Sequence, residues 1–326
     1  MNRIAVLLST YNGERYLAEQ LESLWAQTVS DFDLVIRDDG STDGTLALLH
    51  AVHAARPMQV RLIDRGRVDP AAPAQRLGPK DSFARLLAHV DAPYVAFCDQ
   101  DDRWMPDKLE TTLAAIKRAE ALHGCDTPVL ACSDAIITDQ QLNPIGPPYL
   151  VKHRLTTSHG RELTLARLLF RNYAIGATTM LNAALAARCR AVPAKAIMHD
   201  WWCALVATLI GRVVVLPRPL MLYRQHDANV IGSSGRKLPT SSKEAREALA
   251  WSQRGVMRSV QQAQALHAAF ARQLTSEQLR VLEPFLNFNA QTAPQRLLTI
   301  ARTGAYKPGF ALNGLHLLAC MTAPMR

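Results

Sequence analysis

Three carboxylates in four positions, Asp99, Asp101 and Asp102, follow a short apolar run from Tyr94 to Cys98 that reads as a buried strand. Like charges crowded at a strand end repel one another unless a cation joins them. Hard oxygen donors at this spacing suit Mn²⁺ or Mg²⁺, which in turn grip phosphate oxygens. The plainer alternative is a solvated acidic turn. A second pair, Asp38-Asp39, ends another apolar run and opens Gly40-Ser41-Thr42-Asp43-Gly44-Thr45, which taken alone is a turn followed by a helix cap. A third acidic motif centres on Asp200, in Met198-His199-Asp200-Trp201-Trp202 at the start of a predicted helix, where a carboxylate can cap the helix or accept a proton. Arg224-Gln225-His226 adds a guanidinium and an imidazole, and imidazole is a tolerable ligand for Mn²⁺.

These groups need elements to hold them. The first half of the chain alternates strand and helix signals. Ile4–Thr10, Phe32–Arg37, Val60–Ile63 and Tyr94–Cys98 are apolar runs of strand length. Between them lie helical stripes: Leu17, Leu21, Leu24 and Trp25, with Asn12 as the expected cap; then Leu46, Leu49 and Val52, capped by Ser41 or Thr42; then Phe83, Leu86, Leu87 and Val90. Such alternation predicts βαβ units and a mainly parallel sheet, in which ligands bind beyond the carboxyl ends of the strands. Asp38-Asp39 and Asp99-Asp101 both fall at such ends. Further on, the pattern predicts a helix over 107–122 and strands over 129–133, 177–181, 213–216 and 219–226. Residues 139–162 read as a loop over the site. Gly232-Ser233-Ser234-Gly235 is linker-like and divides a domain of residues 1–232 from a helical, basic extension, 233–326.

Composition narrows the function classes. The 326 residues carry 37 Lys+Arg against 28 Asp+Glu, a net charge of +9 that favours anionic partners. Aromatic residues are sparse and not interleaved with the basic ones, which argues against single-strand nucleic-acid binding. No apolar run reaches the length of a membrane span, and the apolar run after Met1-Asn2-Arg3 is too short for a signal peptide. Six cysteines without a C-x-x-C pair point to a reduced, cytoplasmic protein without a zinc site.

Taken in order, S-T-Y-N at 9–12, D-D-G-S-T-D-G-T at 38–45, D-Q-D-D-R-W-M-P-D-K-L at 99–109, M-H-D-W-W at 198–202 and Y-R-Q-H-D-A-N-V-I-G at 223–232 resemble the inverting family-2 glycosyltransferases of the GT-A fold. The resemblance covers roughly residues 2–230. The forms D-Q-D-D-x-W, H-D-W-W and R-Q-H-x-x-N are similar to the rhamnosyltransferase-like subgroup, which builds bacterial surface polysaccharides. The resemblance implies an α/β, Rossmann-like mixed sheet flanked by helices, with the helical extension added.

It also implies roles. Asp39, or alternatively Asp38, accepts from the N3–H of a pyrimidine base, and Thr10, Tyr11 and Asn12 lie beside that base. Asp99 belongs on the ribose side and beside the metal; Asp101 holds Mn²⁺ or Mg²⁺, with His226 a further ligand. Arg224 faces the diphosphate. Asp200 is the general base of a single displacement with inversion. Asp102, Trp201 and Trp202 are candidates for contact with the sugar or acceptor. The implied donor is a UDP- or dTDP-sugar, such as dTDP-rhamnose or a UDP-hexose. The implied acceptor is a lipid-linked saccharide at the inner face of the cell membrane.

Other classes compete. A phosphoryl-transfer enzyme with an aspartyl nucleophile would carry D-x-D-x-T after its first strand, whereas here the motif lies near residue 100 and Arg103 follows it. A two-metal nuclease could use scattered carboxylates. A basic membrane-surface binding protein fits the tail, 296–326, which mixes Leu, Ile and Phe with Arg296, Arg302, Lys307 and Arg326 and has no carboxylate. That last reading leaves the carboxylates at successive strand ends unexplained.

Overall fold

The computed structural model describes residues 3–63, 76–153, 164–227, 241–306 and 310–324. Its centre is a mixed sheet of eight strands in the order β3-β2-β1-β4-β7-β6-β8-β5. The strands are β1 (Ile4–Thr10), β2 (Phe32–Asp38), β3 (Val60–Leu62), β4 (Tyr94–Asp99), β5 (Arg103–Trp104), β6 (Val129–Thr138), β7 (Thr179–Asn182) and β8 (Arg212–Arg224). The first four in the order are parallel; β7 runs antiparallel between β4 and β6; β8 is parallel to β6; and β5 closes the edge antiparallel to β8. The expected α/β class and mainly parallel sheet are therefore what the chain adopts.

Ile4 to Leu8 are buried at every position, not at alternate ones. That is the pattern of a strand covered by helices on both faces. The cover comes from α1 (Glu14–Trp25), α2 (Thr45–Ala55), α3 (Pro79–Ala88), α4 (Lys108–His123), the short α5 (Tyr149–Lys152), α6 (Leu165–Phe170) and α7 (Ala183–Cys189), and α8 (His199–Ile210). The register sets Thr10 beside Asp38 and Ser9 beside Asp99. Three adjacent parallel strands thus bring their carboxyl ends, and the acidic motifs, to one edge.

Several local expectations are corrected. Asn12 does not cap α1. It sits in the left-handed region, φ 47°, which Asn tolerates better than most residues; the first amide of α1, Glu14, instead donates to Asp43 Oδ2 at 3.1 Å. Ser41 and Thr42 do not cap α2, which begins at Thr45, where Asp43 Oδ1 accepts from the Thr45 amide and hydroxyl. Strand β6 runs past Ser133 to Thr138 because the buried Asp134, which breaks the apolar run in the sequence, accepts from the Ala135 and Leu150 amides at 2.8 Å. The two strands expected at 213–216 and 219–226 are the single β8. Its Pro217 and Pro219 are tolerated because β5 pairs only with Met221 and Leu222, so that part of β8 is an edge.

The extension is helical: α9 (Ser242–Phe270), α10 (Ser276–Leu286), α11 (Ala293–Thr303) and α12 (Phe310–Thr322). Thr275 and Gln278 form a reciprocal cap at the start of α10, as Thr292 and Gln295 do for α11. Arg296, expected among cations facing lipid, is buried. Its guanidinium donates to the carbonyls of Phe288, Asn289, Cys320 and Ala323, which close α11 onto α12. Arg302 is exposed, while Lys307 and Arg326 lie outside the described residues, as does the linker-like stretch at 232–235. Among the described residues no helix is long and apolar enough to cross a membrane.

Candidate active site

The loops after β1, β2 and β4 are tied to one another by side chains reaching main chain. Asn12 N donates to Ser41 Oγ, Gly13 N to Thr45 Oγ1, and Thr42 N to Asn12 Oδ1, all within 2.9 Å. Gln100 clamps Tyr11 at two points, accepting from its amide at 2.8 Å and donating to its carbonyl at 2.9 Å. This amide lies so close that a Cβ on residue 13 would meet Gln100 Oε1 at 2.2 Å, so a side chain there would have to displace the clamp. Gln100 was legible only as the spacer inside D-Q-D-D.

The two β2 carboxylates are heavily engaged. Asp38 accepts from Thr10 Oγ1, Ser41 Oγ and the amides of Gly40 and Ser41. Asp39, 3% exposed, accepts from Arg37 Nη1 at 2.7 Å and from the amides of Leu77 and Gly78 at 2.8 Å. It therefore anchors the entry to α3, and three of its roughly four lone-pair sites are taken. The Tyr11 ring, expected beside that base, carries the Arg76 guanidinium 3.7 Å above it. Because Asp39 pairs with an Arg37 that is itself buried, Asp39→Ala is expected to do two things. It should weaken UDP or dTDP by about 1.5–3 kcal/mol, the value of a hydrogen bond to a charged group. It should also lower the melting point of the nucleotide-free chain, since a buried charge stripped of its partner costs about 3–5 kcal/mol. Calorimetry and melting curves check both; unaltered Kd values would move the base site elsewhere.

At the end of β4 the carboxylates divide. Asp101 Oδ2 lies 2.8 Å from His226 Nε2, so the two expected metal ligands are neighbours. Asp99 is pushed up to about 8 by burial and by the charges of Asp101 and Asp200. Such mutual repulsion, beside an imidazole, fits a hard divalent cation. Among the described residues no three His, Cys, Asp or Glu side chains converge tightly enough to hold a metal alone. That suits a cation that takes one or two protein ligands and completes its shell with substrate phosphates and water.

Asp102 points the other way. It is fully buried, with Oδ1 accepting from the Arg224 amide, and it does not reach a sugar. Arg224, expected at the diphosphate, is 3% exposed and is turned inward: Nε donates to the Asp101 carbonyl at 2.7 Å, while its Nη atoms reach Gln140 O and Glu19 Oε2. Its guanidinium also lies over Tyr16, whose ring meets that of His226. Arg224 thus holds the Asp99–Asp102 turn from behind.

Asp200 lies in the first turn of α8. Oδ1 accepts from the Trp201 amide at 2.6 Å and Oδ2 from the Gly176 amide at 2.8 Å, with the Asn172 side chain as a further partner. Burial pushes it up to about 6. Gly176, in a short 3₁₀ turn, and Asn172 were not singled out in the sequence; the run Asn172-Tyr173-Ala174-Ile175-Gly176 gave no periodic signal. His199 beneath it is held neutral, driven down to about 3 by burial, and stacks on Phe83 at 4.2 Å. The tryptophans separate as well. Trp201 is half-buried and donates through Nε1 to Leu168 O, whereas Trp202 is 1% exposed and packs toward Phe270 of α9, which removes it from any sugar.

The profile of the family described as "Glycosyl transferase family 2" matches residues 5–174. The dTDP-rhamnosyl transferase RfbG of Shigella flexneri is 28% identical over 232 residues, covering 70% of this chain and 74% of that protein. Mycobacterial proteins of uncharacterized function are 25% identical over 228 residues, and the chain spans only 59% of their length. Among solved structures, S. aureus TarS residues 1–349 in complex with UDP-GlcNAc superposes with a TM-score of 0.55 at 17% identity, covering 97% of this chain and 90% of that one. The mannosyltransferase PcManGT of Pyrobaculum calidifontis, in complex with GDP-Man and Mn²⁺, gives 0.51 at 17% identity, covering 97% and 85%. Both structures share the fold with this chain.

Proposed function

The chain belongs to glycosyl transferase family 2, and from that premise we propose that it moves a hexosyl or rhamnosyl group, with inversion, from a UDP- or dTDP-sugar to a lipid-linked saccharide in surface polysaccharide synthesis. The observation that carries the reading is Asp200: a buried carboxylate fixed by two main-chain amides, within electrostatic reach of the Asp99–Asp102 turn. Its carboxylate takes the proton of the acceptor hydroxyl as that oxygen attacks the anomeric carbon, and the bond from that carbon to the nucleoside diphosphate breaks on the opposite face. The loops after β1 and β2 bind the nucleotide, with Asp39 and Tyr11 nearest the base. Asp101 and His226 are the residues that would hold Mn²⁺ or Mg²⁺, with Asp99 beside them. When bound, the cation would neutralise charge on the departing diphosphate.

RfbG supports rhamnose and dTDP; the TarS complex supports a UDP-sugar. The net positive charge, and Leu298, Leu318 and Met321 exposed on α11 and α12, support contact with an anionic membrane at its cytoplasmic face. Melting curves with UDP- and dTDP-sugars plus Mn²⁺ test the donor, because a ligand that binds only the folded state raises the melting point. The matching donor should then release UDP or dTDP, not free phosphate or a nucleoside monophosphate, and faster when the acceptor is presented in anionic vesicles. No shift with any nucleotide sugar would reject the reading.

A further inference from the structure

His199 breaks a rule of buried packing. It is 3% exposed, and neither Nδ1 nor Nε2 has a hydrogen-bond partner among the described residues. A buried polar group left unpaired costs stability that an aliphatic side chain of similar volume would not. Burial also holds the ring neutral, so it brings no charge to the cleft. What the ring offers is shape. One face stacks on Phe83, with centroids 4.2 Å apart and planes 25° from parallel, and Phe97 of β4 meets it edge-on at 4.7 Å. On another side the ring abuts Gly176. A Cβ on that residue would lie 3.2 Å from His199 Nε2 and 3.4 Å from Cβ and Oδ2 of Asp200. The imidazole, the Gly176 backbone and the Asp200 carboxylate therefore share one close contact, within which the Gly176 amide donates to Asp200 Oδ2 at 2.8 Å.

The far side of this contact is tied to the nucleotide loops. Asp39 holds the entry to α3 through the Leu77 and Gly78 amides. Within the first turn of α3, Ser82 Oγ lies 2.7 Å from Ser9 Oγ and accepts from Arg37 Nη1 at 3.0 Å. Phe83 is the next residue. Lys80 Nζ, also on α3, donates at 3.1 Å to Ala194 O, just ahead of α8. Helix α3 is thus fastened to β1 and β2 by some side chains and to α8 and its approach by others. A close-packed interior transmits strain, since it has little free volume to absorb it.

We propose that His199 is a positioning residue of the transferase: stacked on Phe83 and set against Gly176, it makes α3 a strut that fixes the Asp200 carboxylate relative to the nucleotide loops. The consequence for turnover rests on Asp200 as the base, whereas the packing does not, so the test reads the two separately.

The full chain is compared with Gly176→Ala, His199→Leu and Asp200→Asn, and with each of the first two combined with Asp200→Asn. Gly176→Ala is the mildest probe. Gly176 is outside the left-handed region, so alanine suits the backbone and keeps the amide donor; only the methyl intrudes, and its neighbours must give by a few tenths of an ångström. Three quantities are read. The first is the Asp200 carboxyl pKa by ¹³C NMR, assigned by its loss in Asp200→Asn. The second is the Kd of UDP and of dTDP with Mn²⁺. The third is turnover, as nucleoside diphosphate released from the donor that the melting curves select. Gly176→Ala is expected to raise the Asp200 pKa above its wild-type value of about 6, because the amide hydrogen bond that favours the charged form is displaced. Gly176→Ala and His199→Leu should each slow turnover roughly 10- to 100-fold, as a small misplacement of a catalytic group does, with Kd values as in the wild type. In the Asp200→Asn background neither change should slow turnover further, because both act through that carboxylate.

Wild-type pKa and turnover in Gly176→Ala would overturn the positioning role. So would a loss of nucleotide affinity that matches the loss of turnover, which marks a general defect of the fold, or a full further slowing in the Asp200→Asn background. If His199→Leu does not fold, Gly176→Ala decides alone. A raised Asp200 pKa in Gly176→Ala, together with wild-type turnover in Asp200→Asn, keeps the packing and rejects Asp200 as the base.

Discussion

Asp200→Asn is expected to slow turnover roughly 10²- to 10⁴-fold while donor affinity stays nearly unchanged. A carboxamide matches the carboxylate in shape and can still accept from one of the two amides, Gly176 or Trp201, that fix it. It has no useful proton affinity. The wild-type enzyme should lose kcat as pH falls through about 6, where burial places the Asp200 pKa and the base becomes protonated. The effect on stability has the opposite sign. A carboxyl whose folded pKa is raised binds its proton more readily in the folded chain, so between about 4 and about 6 this group makes the fold less stable as pH rises. Activity therefore gains across the same window in which this site costs stability. A pH–kcat profile that is flat around 6, or a variant that keeps half of the wild-type kcat, would assign the proton to another group.

The route from sequence to this site was uneven for physical reasons. The sheet was legible because β1 and β4 carry unbroken apolar runs, Ile4 to Leu8 and Tyr94 to Cys98, and β2 a shorter one from Leu34 to Ile36, and such runs between helical stripes have few other solutions. The acidic motifs were legible because charge at a buried strand end needs a reason. What could not be read was direction. Asp101 and Asp102 are adjacent and identical in type, yet one faces His226 and the other the core. Trp201 and Trp202 divide in the same way, as neighbours on a helix must. Arg224 reads as a cation near a diphosphate, and only the folded chain reveals that its donors are spent on Asp101 O, Gln140 O and Glu19. Arg296 made the same point in the tail, where four carbonyls scattered from 288 to 323 converge on one guanidinium. A donor's partner that is remote in sequence leaves no local pattern.

Removal of the divalent cation should abolish transfer, and Asp101→Ala should do so in its presence. The two results belong together because of how the charges are arranged. Burial, with the charges of Asp101 and Asp200 added, drives Asp99 up to about 8. Without a cation the cleft resists a diphosphate, which would add further negative charge to that group. Of the carboxylates at the turn, Asp101 is the one beside an imidazole, at 2.8 Å from His226 Nε2, and not turned into the core. Its loss therefore leaves the cation with a single strong protein donor, while the Arg224 main-chain and guanidinium contacts that shape the turn remain possible, since they go to the Asp101 carbonyl and to Asp102. The variant should consequently fold like the wild type and still lack the rise in melting point that Mn²⁺ with UDP gives the wild-type chain. Added Mn²⁺ should restore turnover to the chelated wild type and not to Asp101→Ala. Full turnover in excess EDTA would place the compensation of diphosphate charge on the protein's own cations, and Asp101 would then be a structural residue of the turn.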